Sequence, residues 1–207
     1  MKLKKALLIV DVQNDFCPGG ALGVPGGDKI IPVINKYINI FSKKKIPIFA
    51  TRDWHPVKTK HFKDFGGIWP IHCIQNTRGA AFHTELKLPK GVIFLYKGMD
   101  PKKDSYSSFH AEDTSGMKFS DVLRRLGIKE VYIGGLATDY CIKYSAIDAL
   151  KNGFKVNVLV DAIRGVNLKP KDSENAIKKI VKMGAKKLTL SYFQKTVSQR
   201  GGHKHAT

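Results

Sequence analysis

Cys141 ends the run Gly134-Gly135-Leu136-Ala137-Thr138-Asp139-Tyr140-Cys141, a glycine-rich turn leading from an apolar segment into one with helical spacing. That pattern puts the thiol in a first helical turn, where the helix dipole and unsatisfied N–H groups favour thiolate and can hold an oxyanion formed by attack on a carbonyl. Asp11 follows the apolar run Ala6–Val10, and Lys97 follows Val92–Tyr96. A carboxylate in that position can accept the thiol proton and return it to a leaving amine, and an ammonium can keep the carboxylate ionised. Packing offers simpler readings: a small cysteine under a helix, and a structural Asp11–Lys97 ion pair. The convergence of all three groups favours chemistry.

A second constellation runs through Asp53, His55, His61 and His72. One carboxylate and three imidazoles suit a single divalent transition metal, zinc ahead of iron or manganese. Phe16, Trp69 and Tyr106 lie in the surrounding loops and offer faces on which a flat, uncharged ligand can stack. Cys17 and Cys73 match no paired metal or redox spacing, so reduced thiols in a cytoplasmic protein are the simplest account. His83, His110, His203 and His205 read as surface or tail positions.

The elements that must position these residues alternate along the chain. Ala6–Val10, Ile46–Thr51, Val92–Tyr96, Glu130–Gly134 and Lys155–Val160 read as buried strands, with a weaker one at Lys187–Leu190. Between them, Ile31, Ile34, Ile38 and Phe41 recur at helical spacing, with Asp28 as a cap; Phe119, Val122, Leu123 and Leu126 form a second stripe. Ile142, Ala146, Ala149 and Leu150 make a third, and Ile177, Ile180 and Val181 a fourth. This succession implies an α/β doubly wound fold with a mainly parallel six-stranded sheet and helices on both faces. Ligands bind beyond the carboxyl ends of such strands, where Asp11, Asp53, Lys97, Cys141 and Asp161 fall. Residues 52–90 and 98–117 are long, irregular and rich in Gly, Pro, His and aromatics, as functional loops are.

At 207 residues the chain fits one domain over residues 1–200, with Gly201–Thr207 as a disordered tail. No apolar run approaches the roughly 20 residues of a membrane span. The formal charge of +19 raises the possibility of a nucleic-acid partner. The lysines are dispersed, from Lys43–Lys45 to Lys186 and Lys187, without interleaved aromatics, so solvated faces are the expectation and no specific nucleic-acid partner is expected.

Taken together, Asp11-Val12-Gln13-Asn14-Asp15-Phe16, Thr51-Arg52-Asp53-Trp54-His55-Pro56, Trp69-Pro70-Ile71-His72-Cys73, Tyr96-Lys97-Gly98 and Gly135–Cys141 resemble the motifs of nicotinamidases in the isochorismatase-like cysteine hydrolase family. The resemblance implies Asp11, Lys97 and Cys141 as a catalytic triad and Asp53, His55, His61 and His72 around the metal. It also implies a cis peptide between Leu136 and Ala137, with the N–H groups of Ala137 and Cys141 forming the oxyanion hole. The implied reaction converts nicotinamide and water to nicotinate and ammonia through a Cys141 thioester, for NAD salvage. Three alternatives stay open: a sister enzyme acting on another small amide or carbamoyl substrate, a metal-bound hydroxide as nucleophile, and, more distantly, a nucleic-acid-binding module.

Overall fold

The structure, a computed structural model, describes residues 4–199. Alternating apolar runs become the strands β1 (Lys4–Val10), β2 (Ile48–Asp53), β3 (Ile93–Lys97), β4 (Glu112–Asp113), β5 (Ile128–Leu136), β6 (Lys155–Arg164) and β7 (Lys186–Leu188). They form one sheet in the order β4-β3-β2-β1-β5-β6-β7, parallel except for β4. The six expected strands are all present. The seventh, β4, is a two-residue antiparallel edge pairing Leu95 with Asp113 and Tyr96 with Glu112, too short to carry a periodic signal.

The helices are α1 (Ile31–Lys43), α2 (Phe119–Arg125), α3 (Lys143–Lys151), α4 (Asp172–Lys182) and α5 (Leu190–Gln199). Side chains alternate across each strand, so Ala6, Leu8 and Val10 of β1 pack on one face with Phe119 of α2, Ala146 of α3 and Ile180 of α4. Leu7 and Ile9 face the other way, toward Ile34 and Phe41 of α1 and Phe193 of α5. Each fully buried side chain of this size contributes about 1.5–3 kcal/mol, which is what holds the three layers together.

Several details differ from the sequence reading. Asp28 lies in a 3-10 turn, Asp28–Ile30, and α1 starts at Ile31 without a side-chain cap. The weak strand at Lys187–Leu190 ends at Leu188, and Leu190 opens α5, a helix anchored by Phe193 stacked on Phe41 with ring centroids 5.4 Å apart. The tail Gly201–Thr207 lies outside the described residues. Lysines dispersed in sequence are partly gathered by the topology. Lys4 and Lys5 open β1, Lys155 opens β6, Lys186 and Lys187 open β7, and Lys44 and Lys45 precede β2, all at the strand starts. Lys43, Arg124, Arg125, Lys151 and Lys182 occupy last helical turns, where cations complement the helix dipole.

The chain lays down β1, β2 and β3 outward in one direction and then resumes with β5 on the other side of β1. The strand order therefore reverses between β1 and β5, and their carboxyl ends are the natural crevice of such a sheet. Gly135, at φ 125°, permits the closeness of these two strands, because a Cβ there would collide with the Val10 carbonyl. Asp161 does not reach this crevice. Strand β6 continues past it to Arg164, and its carboxylate accepts hydrogen bonds from the Tyr37 hydroxyl (3.1 Å) and the Leu190 N–H (2.7 Å). Asp161 therefore ties α1 and α5 to the sheet, and Asp161→Ala should lower unfolding stability by about 1–3 kcal/mol in urea titrations while leaving turnover at the crevice unchanged.

Candidate active site

The residues of the crevice arrive on four separate elements. Asp11 is the first residue after β1 and takes φ 49°, a left-handed conformation that Asp tolerates better than most residues. Lys97 ends β3, directly beside Asp53 at the end of β2. Cys141 lies in a π-helical turn, Thr138–Ile142, between β5 and α3. The sheet thus brings three fully or almost fully buried ionisable residues together: Asp11 at 0% exposure, Lys97 at 1% and Cys141 at 6%.

Lys97 sits at the centre. Its Nζ lies 2.9 Å from Asp11 Oδ2, donates to Asp53 Oδ1, and points at Cys141 Sγ at 3.6 Å. Burial alone would lower its pKa, but Asp11, Asp53 and Cys141 raise it well above the ordinary lysine value, so it stays an ammonium. Burial would raise Asp53, yet Lys97 and neighbouring His55 hold it well below the usual carboxylate range. Asp11 ends on the other side: burial raises its pKa, Lys97 lowers it, and the net shift is upward. Burial also pushes the Cys141 thiol well above its usual value, despite the nearby Lys97. The resting pair is therefore a thiol beside an unusually basic carboxylate, which corrects the expectation of a thiolate favoured by the helix start. Desolvation outweighs the dipole in this pocket.

Two neighbours fix the acids, Thr51 at the Asp11 carboxylate and Gln13 at the Asp53 backbone. Thr51 Oγ1 accepts from the Asp11 N–H (3.2 Å), which directs its own proton to Asp11 Oδ1 at 2.6 Å. Gln13 brackets Asp53, accepting from its N–H and donating to its carbonyl, both at 2.8 Å. Sequence reasoning passed over both. The signal available was alternation, since Thr51 and Asp53 share one face of β2 and Gln13 is two residues beyond Asp11.

His55, His61 and His72 form the second half of the site, with one ligand atom from each within 4.8 Å of the others. Every Nδ1 meets an acceptor: Gly98 O for His55 (3.0 Å), Asp104 Oδ1 for His61 (2.6 Å) and Pro70 O for His72 (2.8 Å). An acceptor on Nδ1 places the proton there and leaves the Nε2 lone pair free, the arrangement that orients metal-binding imidazoles. Burial lowers His61 and brings His72 down to about 4, so these rings are neutral at physiological pH. His55 Nε2 is buried with no hydrogen-bond partner and lies 3.7 Å from Asp53 Oδ2. An unpartnered buried ring nitrogen beside two neutral imidazoles and a carboxylate fits a divalent cation. Gly98, at φ 71°, is required beside this ring, because a Cβ there would strike the His55 imidazole.

A cavity joins the two halves. Cys141 and Ala137 line it, as do Asp53, His61 and His72. Phe16, Trp69 and Tyr106, the three expected stacking residues, all line it. So does Tyr140, whose ring meets Trp69 edge-on with centroids 4.9 Å apart. The Leu136–Ala137 peptide is cis, and the Ala137 carbonyl accepts from the N–H groups of Tyr140 and Ile142, both at 3.1 Å. Asp139, also unassigned from sequence, accepts from the N–H groups of Val166 (2.9 Å) and Asn167 (2.7 Å) and so holds Val166 at the cavity wall. Cys17 and Cys73 are free, buried thiols; burial pushes Cys17 up to about 11 and raises Cys73 well above its usual value.

The isochorismatase domain family matches residues 5–191 of this chain. The chain is 39% identical over 211 residues to the nicotinamidase of Escherichia coli, an alignment covering 93% of this chain and 98% of that protein. Among solved structures, it is similar to the pyrazinamidase of Pyrococcus horikoshii in complex with zinc, at 46% identity and a TM-score of 0.83 over 90% of this chain and 99% of that one. An L. infantum protein in complex with nicotinate superposes with a TM-score of 0.81 at 32% identity, covering 91% of this chain and 94% of that one.

Removing the ammonium leaves two carboxylates facing each other without a counter-charge. Lys97→Met should therefore destabilise the fold by about 3–5 kcal/mol at neutral pH, as measured by urea denaturation. A loss below about 1 kcal/mol would mean that the three charges are solvated rather than sealed.

Proposed function

We propose for this chain, which belongs to the isochorismatase family, the hydrolysis of nicotinamide to nicotinate and ammonia through a thioester on Cys141, a reaction of NAD salvage. The observation that carries the reading is the single cavity shared by the Cys141 side, the imidazole cluster and the aromatic walls. A flat, uncharged ring with a carboxamide on one side and a basic nitrogen on another is complementary to all three. The likeness to a nicotinamidase and to structures with zinc or nicotinate bound supports the same choice.

In the proposed reaction Asp11 takes the proton of Cys141, and the sulfur attacks the carboxamide carbon. The carbonyl oxygen becomes an oxyanion, held by the N–H groups of Ala137 and Cys141. Asp11 returns its proton to the nitrogen as the C–N bond breaks, and ammonia leaves. Water then enters, Asp11 removes its proton as the oxygen attacks the thioester carbon, and the C–S bond breaks with Asp11 returning that proton to the departing sulfur; the acid released ionises to nicotinate. The raised basicity of Asp11 suits both proton abstractions, and the neighbouring Lys97 keeps the thiolate that forms from standing unpaired.

Asp53, His55, His61 and His72 would hold one divalent transition-metal ion, zinc ahead of iron or manganese, and when bound it supplies a Lewis acid that orients the ring nitrogen. Phe16, Trp69 and Tyr106 would clamp the ring by stacking, so that only the amide faces the sulfur.

An ammonia-release assay tests the reading. Cys141→Ala should lose about 10⁴-fold or more of nicotinamide turnover while still binding metal at one ion per chain. Substantial residual activity in that variant would move the nucleophile to a metal-bound hydroxide. Faster turnover of aliphatic or N-carbamoyl amides than of nicotinamide would assign the same triad to another substrate.

A further inference from the structure

The segment Gly98–Tyr106 leaves β3 directly after Lys97 and forms a strap over the imidazole cluster. Among the described residues, each hydrogen bond it makes outside itself goes to the metal-loop segment 55–69. His55 Nδ1 donates to Gly98 O (3.0 Å), and the Lys60 N–H (2.9 Å) and Thr59 hydroxyl (3.3 Å) donate to Pro101 O. His61 Nδ1 pairs with Asp104 Oδ1 at 2.6 Å, and Trp69 Nε1 donates to the Tyr106 hydroxyl at 2.8 Å. Two of the three imidazoles are thus fastened to the strap by the nitrogen that does not face the cluster. The far end of the same strap carries an aromatic wall of the cavity.

We infer that the strap is a positioning device coupling metal occupancy to the shape of the substrate cavity, with Asp104 as the residue through which the coupling passes. The inference rests on the proposed metal site. Asp104 is the only carboxylate among the three Nδ1 partners, since His55 and His72 use backbone carbonyls. A carboxylate behind a ligating imidazole fixes the tautomer, holds the ring orientation and raises the basicity of the other nitrogen. Two residues on, Tyr106 is held by Trp69, and its ring also packs on His61 with centroids 5.7 Å apart. An ion on the Nε2 side of His61 orients that ring, the ring orients Asp104, and Asp104 seats Tyr106 at the wall. Linkage makes the effect reciprocal: a ligand clamped against Tyr106 and Trp69 must tighten the hold on the metal by the same factor that the metal tightens the hold on the ligand.

The Asp104 side chain is 57% exposed, so its replacement leaves the core untouched. The test measures Zn²⁺ affinity by competition with a chromogenic chelator in wild type, Asp104→Asn and Asp104→Ala. Asp104→Ala should bind zinc about 10–100-fold more weakly, and Asp104→Asn should fall between the two because its amide oxygen still accepts from His61. Adding nicotinate should raise zinc affinity by a larger factor in wild type than in Asp104→Ala. The chain has two tryptophans, so a Trp54→Phe background isolates Trp69 emission. Zinc should shift that emission in the background variant and shift it less once Asp104→Ala is added. Zinc affinity within twofold of wild type in Asp104→Ala, or an equal nicotinate effect in both proteins, would overturn the coupling while leaving the metal site standing. Failure of the wild-type chain to bind zinc at all would instead overturn the metal half of the proposed function.

Discussion

A single ammonium, sealed from water between two carboxylates and a thiol, sets the terms for everything around it. Bringing Lys97, Asp11 and Asp53 out of solvent costs several kcal/mol for each charge, and that cost is offset only by close pairing and further hydrogen bonds. Thr51 supplies such a bond to the Asp11 carboxylate, while Gln13 fixes the backbone of Asp53. One cation and two carboxylates still leave an excess negative charge. The two acids settle it unequally: Asp53 stays ionised against Lys97, and the remaining proton affinity collects on Asp11. Burial is the main cause of the upward shift of Asp11, and the charge on Asp53 adds to it. The second oxygen of Asp53 faces His55, so part of the excess charge is directed toward the imidazole cluster, where a divalent cation would answer it.

This balance demands accuracy that only a sheet can provide. Asp11, Asp53 and Lys97 leave adjacent parallel strands, and their separation is set by backbone hydrogen bonding rather than by flexible loops. Cys141 comes from the far side of the strand-order reversal, through a turn whose glycine allows β5 to close on β1. The core on both faces fixes the register, because a slip of one residue would turn Leu7 and Ile9 into the wrong layer.

Much of this was legible in the chain because burial on both faces leaves a plain mark. Continuous apolar runs marked five of the six longer strands, β7 carrying only a weak signal, and the polar residue at or just past the end of β1, β2 and β3 marked Asp11, Asp53 and Lys97. The same rule misplaced Asp161, since β6 carries a polar residue through its middle and continues to Arg164. Helix α5, in which Phe193 is buried, was missed. Thr51, Gln13, Asp139 and Asp104 were passed over for a common reason. Each acts by a hydrogen bond to a residue distant in sequence, or to the backbone of one, and nothing local in the sequence names the partner. The thiolate expectation went wrong on magnitude: a helix start favours the anion by about a kcal/mol, whereas full burial opposes it by more.

On the proposed reading the site divides its labour. The Asp11–Lys97–Cys141 group can open many small amides, and nothing in it selects a ring. Selection falls to the aromatic walls and the imidazoles; the imidazoles, Trp69 and Tyr106 belong to the two long irregular segments, and Phe16 to the turn after β1. The two halves are nevertheless not independent, because Asp53 is shared: one oxygen pairs with the catalytic ammonium and the other faces the histidines. A change in charge at the imidazole cluster must alter how strongly Asp53 holds Lys97, and through Lys97 how basic Asp11 is. Recognition of the ring nitrogen and proton transfer at the sulfur are therefore linked by one carboxylate, and a metal that serves only to orient the substrate would still tune the chemistry.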